Sequence, residues 1–438
     1  MLRASYWAFA SLLAVVVSLA GCDERHAPDS DTPKPQAGPA LRPAQLKVSE
    51  AAARAVVEHY ADLGFAVFTD AHQAALQLQT AVRTLLATPT SEHLQATKNA
   101  WIAARVPYMQ TEVFRFSSPV VNEWERQVNA WPINAEVIDY VARDAKRPNN
   151  ARTSIIANPI INLGEERIEF HQITASSLSS LNELAGPDLP IITGYHALEF
   201  LLWGEEPAKK NGAGQRPATD YAEKGCTNGH CDRRRAYLEA VTELLVTDLA
   251  DLAAQWQPEV SDNYRAALLL DTTFNGIRKI LVGMGSLSLD GLATERMQIA
   301  LDTNAPEAEH DRFSDNTHNA LFYNAKGIRN VYLGTYQRLN GSLLSGASLA
   351  NLVQSVEPDI NTSLQKDLAD TETKMQALVD SANQGILFDQ LIAPHNSAGQ
   401  TKVRDAITAL VKQSVTIEQV ANSLGIEDLT SETADRLQ

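Results

Sequence analysis

His196 and Glu199 are the residues whose types and spacing are best suited to chemistry. They stand three apart in Gly194-Tyr195-His196-Ala197-Leu198-Glu199-Phe200-Leu201-Leu202-Trp203-Gly204, and a helix puts such a pair on one face. An imidazole and a carboxylate so placed can ligate one metal ion. Alternatively, the carboxylate can orient and polarise the imidazole from behind. Gly194 in front leaves room for backbone or ligand to approach closely. Spacing alone is weak evidence: ten histidines give about half to one His-x-x-Glu match by accident, and a hydrogen-bonded core pair satisfies the same pattern. A second polar cluster, Glu309-His310-Asp311-Arg312-Phe313-Ser314-Asp315-Asn316-Thr317-His318, offers His310, Asp311, Asp315 and His318 as further ligands. The same stretch would serve equally well to cap helices and pair charges at a domain junction.

The catalytic alternatives are poorly supplied. A catalytic zinc site needs about three protein ligands, an open position and a general base. The chain has no HExxH, and Phe200 after Glu199 rules out HxxEH. GxSxG is also missing. Glu199 is the one catalytic candidate if the chain is a peptidase. Cys226 and Cys231 flank Thr-Asn-Gly-His, where the tight-turn dipeptide Asn228-Gly229 would bring the thiols together. A local disulfide suits an oxidising compartment. A metal loop of Cys226, His230 and Cys231 is the alternative, and it lacks an evident fourth ligand.

The elements that must carry these residues are read next. Arg3, the apolar run Tyr6 to Ala20 and the lipobox Leu19-Ala20-Gly21-Cys22 predict a signal peptide over 1–21 and lipidation of Cys22. Acyl chains there would anchor the protein to a membrane at roughly 0.8 kcal/mol per buried CH₂. The expected place is the cell envelope, facing the periplasm or the cell surface, with inner and outer membrane both open. Residues 22–45 carry Pro28, Pro33, Pro35, Pro39 and Pro43 and read as a semi-extended tether. A net charge of −16 argues against nucleic acid as a partner; it is compatible with metal cations and equally with a solvated acidic surface.

Beyond the tether the periodicity is helical. Glu50 to Leu86 is Ala-rich at helical spacing, and Thr90-Ser91-Glu92 opens another helix toward Trp101 and Arg105. From Asp232, the residues Leu238, Val241, Leu245, Leu249, Leu252 and Trp256 form one stripe. Lys402 to Leu424 repeats the pattern with Ala406, Leu410, Val411 and Val415. Thr153 to Leu163 is the best strand candidate. The fold class expected is all-α, in two helical-bundle domains. An N-terminal part, 46–205, carries the His-x-x-Glu pair, a linker with the Cys pair spans 206–231, and a C-terminal bundle spans 232–432.

GYHALEFLLWG resembles the GxHxxE signature of the imelysin-like family, also classed as M75 peptidases. The likeness extends to Trp101-Ile-Ala-Ala-Arg105-Val-Pro107-Tyr108, Glu112-Val-Phe114-Arg115-Phe116, Asn129-Ala-Trp131-Pro132, the Cys226 to Arg234 stretch, Gly283-Met-Gly-Ser286-Leu-Ser288, Glu295-Arg296-Met297 and Ser314 to His318. It runs as one unit over about 50–430. The resemblance implies two helical-bundle domains with the GxHxxE helix lining a pocket near their junction. It places His196 and Glu199 at the family's functional positions, with Tyr195, Arg105, Glu112, Tyr108 and Arg115 around the pocket. Arg312 stands where a Cys often occurs in the family pattern, which removes a thiolate ligand and puts a cation near any site. The function implied is metal binding in iron acquisition, with a divalent or ferric ion, iron before zinc, and iron-transport components as partners. An M75-type metallopeptidase acting on proteins is the alternative, and an interaction module that binds no metal is the third reading.

Overall fold

The protein is described from a computed structural model over residues 45–116, 118–141, 154–163, 166–184, 191–205, 212–427 and 429. The expected signal peptide, Cys22, the tether to residue 44 and linker residues 206–211 lie outside the described residues. No described helix is long and apolar enough to cross a membrane. The architecture is all-α.

Helix α1 (Glu50–Ala87) buries Ala53, Val57, Tyr60, Val67, Phe68, Ala71, Leu78 and Leu85 along one side, the three-and-four spacing that makes a core-facing stripe. Helix α2 (Ser91–Met109) opens where Thr90 accepts a hydrogen bond from the His93 amide, satisfying one of the amides that a helix start leaves free. Helix α3 (Gly194–Trp203) is buried at all ten positions. Its high apolar content lets it pass through the interior with only three ionisable side chains, Tyr195, His196 and Glu199, to satisfy. Helix α4 (Cys231–Ala254) carries the Leu238 to Leu252 stripe, and this stripe, with Trp256 just beyond, is fully buried. α1, α2 and α4 pack as a bundle, with α3 against α2 and α4. The sequence suggested that α4 opens the C-terminal bundle. In the structure it packs against α1.

The second bundle is formed by α5 (Thr273–Ser286), a π-helical segment continuing from it (Leu287–Gln298), α6 (Thr317–Leu333), α7 (Pro358–Asn383) and α8 (Ser397–Leu424). α8 packs on α7 and on the π segment, and α6 on α7. In α8 the buried face is Val403, Ala406, Leu410, Ile417, Val420 and Leu424. Val411 and Val415, expected in that stripe, are exposed, because the core face of the helix turns one position away from them.

The two bundles meet where α6 lies against α2 and α5 against α1. Gly327 on α6 makes the first approach close: a Cβ there would stand 2.8 Å from the Gln110 carbonyl oxygen. Strands are few. β1 (Ile160–Leu163) pairs antiparallel with β2 (Glu166–Glu169), while residues 155–157 of the expected strand form a turn. A small hairpin joins β3 (Thr335–Gln337) to β4 (Leu343–Ser345).

Candidate metal centre

Three pieces of chain converge at the seam. Gly194 starts α3 at φ 80°, and any Cβ there would collide with the Val128 carbonyl; only glycine lets the helix begin at this point. Trp101 on α2 fixes the same turn by donating its indole N–H to the Tyr195 carbonyl at 2.9 Å. One helical turn after Trp101, Arg105 reaches inward. The third piece is the segment before α6, where Thr317 Oγ1 accepts the Asp311 amide at 3.1 Å and holds His310 and Asp311 inward.

His196 Nδ1 lies 3.0 Å from Glu199 Oε2. The other Glu199 oxygen accepts two hydrogen bonds from Ser314, one from its amide at 2.9 Å and one from its hydroxyl at 2.7 Å. The His310 ring packs edge-on to that of His196, with centroids 4.7 Å apart, and its Nδ1 is 3.1 Å from Asp311 Oδ1. Arg105 donates to both Asp311 oxygens, at 2.6 Å from Nη2 and 3.3 Å from Nε. Asn316 adds a donor to Asp311 Oδ2 at 3.1 Å. Every one of these ionisable side chains is at most 1 % exposed, so none is relieved by water.

Within this cluster His196 Nε2 is buried and has no hydrogen-bond partner. His196, His310 and Asp311 can each present one ligand atom, and the three atoms lie within 4.8 Å of one another. Glu199 Oε2 holds the ring through Nδ1, which also lies 4.0 Å from Asp311 Oδ1, while Nε2 stays unpaired. When Glu199 carries its charge, Nδ1–H donates to it and Nε2 is a bare lone pair, the arrangement that tunes metal-ligating imidazoles. The donors fit a metal ion with one qualification. Asp311 is already held by Arg105.

Electrostatics follow from burial. Desolvation, then the nearby Arg105 charge, draws His196 down to about 3. Burial and Arg296 hold His310 well below its ordinary value. Both imidazoles are therefore neutral, as ligands must be. Burial and the neighbouring Asp311 charge push Glu199 up to about 8. Burial opposes the charge on Asp311, but Arg105 overrides it and keeps the carboxyl well below the usual range.

A polar relay extends outward. Arg105 Nη1 donates to Asn129 at 2.5 Å, Asn129 to Glu112 at 3.2 Å, and Arg296 to the other Glu112 oxygen at 2.8 Å. Arg296 and Arg115 overcome the burial of Glu112 and hold it down at about 2. Tyr195, Tyr108 and Trp101 ring the Arg105 guanidinium, with centroids 5.1, 5.8 and 5.4 Å from its carbon. Arg115 pairs with Glu125 at 3.0 Å, and Arg312 with Glu205 at 3.1 Å near the surface. Asp315 and His318 stand outside the three-residue group. Asp315 is pushed up to about 7, chiefly by burial, and His318 bonds Asn319 through Nε2. Cys226 and Cys231 form a disulfide.

Sequence reasoning assigned no role to Asn129, Ser314, Asn316 or Arg296. Asn129 and Arg296 lie in segments that carry the family likeness, which was the only available signal. Ser314 and Asn316 sit inside the polar cluster, where attention went to the ionisable neighbours.

The family model Imelysin (peptidase M75) matches residues 64–417. "Iron-regulated protein A" of Synechococcus elongatus is 24 % identical over 355 residues, 79 % of each chain. Among solved structures, one named for an iron-regulated protein A precursor from Parabacteroides distasonis superposes with TM-score 0.63 at 17 % identity, covering 86 % of this chain and 96 % of that one. An imelysin-like protein from Psychrobacter arcticum gives TM-score 0.58 at 14 % identity, covering 87 % and 98 %. At these identities the structural matches speak to the fold.

Proposed function

The chain belongs to the imelysin family, and on that premise we propose that it is a cell-envelope protein that binds a metal ion, iron before zinc, for iron acquisition. The observation that carries the reading is the buried, unpartnered Nε2 of His196, whose ring groups with His310 and Asp311 as candidate ligands and is held by Glu199. Leaving a polar atom buried and unpaired costs about 1–3 kcal/mol, a cost that a metal ion would remove. Two imidazoles and a carboxylate suit iron, and thiolates take no part. The name of the Synechococcus relative supports iron over other metals. Lipidation at Cys22, a place in the envelope and hand-over to iron-transport components complete the proposal, resting on the lipobox and tether.

In this account the residues have distinct tasks. His196 and His310 supply neutral nitrogens, and Asp311 supplies a charged oxygen. Glu199 sets the His196 ring, Ser314 sets Glu199, and Arg105 holds Asp311 in place. The metal, when bound, would supply the positive charge that the unpaired nitrogen faces. A peptidase reading has less support: both Glu199 oxygens are engaged, so it is not a free base. A cavity of about 380 Å³ at Pro132, Ile133, Glu205 and Arg312 is lined by none of the cluster's residues.

The test is metal analysis of protein purified without added metal, beside His196→Ala. The account expects iron in the parent protein and its loss in the variant. Equal metal content in the two would refute it.

A further inference from the structure

One face of α2, Ile102, Arg105, Val106 and Met109, and one face of α6 with its cap, Asn316, Asn319, Ala320 and Tyr323, enclose a cavity of about 120 Å³. The spacings of three and four on both helices explain why these eight residues meet. Its walls are mostly apolar, and its polar residues are Arg105, Asn316, Asn319 and Tyr323. It is too small for a peptide or a drug-sized ligand, which need about 300 Å³ or more, but it has room for a small oxyanion.

Arg105 and Asn316 are the residues that also hold Asp311, at 2.6, 3.3 and 3.1 Å. Both residues therefore belong to the cavity wall and to the donor set around Asp311. A metal ion arriving alone would meet a guanidinium pointing at the carboxylate it needs. An oxyanion arriving in the cavity would take over those donors, offset the Arg105 charge and free Asp311 oxygens for the metal. Carboxylate-for-carboxylate exchange suits a guanidinium, whose planar fork binds such groups through paired hydrogen bonds.

We propose that this cavity seats a small carboxylate-type anion, carbonate or an organic carboxylate, which binds together with the metal and hands Asp311 over to it. This rests on the metal-binding reading above and names the form in which the metal is taken. The reciprocity of linked binding then requires the anion to tighten the metal and the metal to tighten the anion.

The experiment is equilibrium dialysis of the full chain against iron(II) without oxygen, in buffer free of bicarbonate and then with bicarbonate, acetate or citrate at matched free iron. Iron affinity should rise on the order of tenfold with the right anion. A rise with bicarbonate identifies carbonate, and a rise with acetate or citrate alone identifies an organic carboxylate. Val106→Phe, which fills the cavity from its half-buried rim, should remove the rise, and Asn319→Leu should reduce it; unfolding midpoints check that both variants fold. The same affinity in every arm overturns the inference and leaves the metal-binding reading standing, as does a rise that survives in both folded variants. No iron in any arm overturns both.

Discussion

Two buried charge clusters in this protein use the same side-chain types and end differently. At the seam, Arg105 and Asp311 are joined by two histidines and Glu199. Beside the Cys226–Cys231 loop, Asp139 accepts from Arg216 at 2.6 Å and from Arg234 at 2.6 and 3.1 Å, and Asp220 accepts from Arg216, Tyr140 and Asn228. Arg234 also donates to the Gly229 and Asp220 carbonyls, tying the disulfide loop to α4. The remaining Arg216 nitrogens have no hydrogen-bond partner, but its guanidinium carbon lies 4.8 Å from the Tyr140 ring centre and 5.4 Å from that of Phe200, where aromatic faces attract a cation. In the second cluster each carboxylate is met by guanidinium, and the two unpaired Arg216 nitrogens lie near aromatic rings. The seam cluster keeps an unpaired imidazole atom and borders a cavity. Burial and charge therefore do not mark a site by themselves; an unpaired imidazole nitrogen grouped with further ligand atoms does.

The comparison can be broken most forcefully at Asp139. Asp139→Asn leaves two buried guanidiniums short of a counter-charge, and removing one partner of a buried pair costs about 3–5 kcal/mol. Urea unfolding should show that loss with metal affinity unchanged. A loss of metal affinity in the folded variant would mean the two clusters act as one.

A pH titration sharpens the contrast. Arg216 and Arg234 overcome burial and hold Asp139 below its ordinary value, so its contribution is present above the unfolded pKa and disappears as pH falls through the lower folded value. Glu199 is shifted the other way, from 4.5 up to about 8. Its contribution is complete below the unfolded value and is lost as pH rises through about 8. Metal-free protein should lose roughly 2 kcal/mol between pH 6 and 9 from this group, allowing for its coupling to Asp311. Glu199→Gln should flatten that limb, read as unfolding midpoints across pH. An unchanged alkaline limb would remove Glu199 from the account.

The smallest effect belongs to the disulfide. Cys226→Ser with Cys231→Ser should cost at most about 2 kcal/mol, because the loop closed is short, and should leave metal affinity alone. A larger loss would show that the loop organises the Arg234 network more widely than its contacts indicate.

The helices were legible where one face meets one partner. Glu50 to Leu86, the Thr90 start and the stripe from Leu238 to Trp256 follow from three-and-four spacing and a capping side chain. The same rule misplaced Val411 and Val415, because α8 has apolar residues on more sides than its core face uses. It could not assign α4 to a bundle either, since periodicity says which face is buried but not against what. At the seam, spacing reported that His196 and Glu199 share a face, while the arrival of Arg105, His310, Asp311 and Ser314 from two distant segments depends on tertiary packing. That Glu199 orients His196 is one of two readings of the pair, and the Ser314 hydrogen bonds to its other oxygen support it.

The most direct test of the central claim is an anomalous-scattering map from crystals of the protein soaked in iron. The account predicts one strong peak about 2.0–2.2 Å from His196 Nε2, within reach of His310 and Asp311. Iron bound elsewhere, with His196 Nε2 still unpartnered, would contradict it.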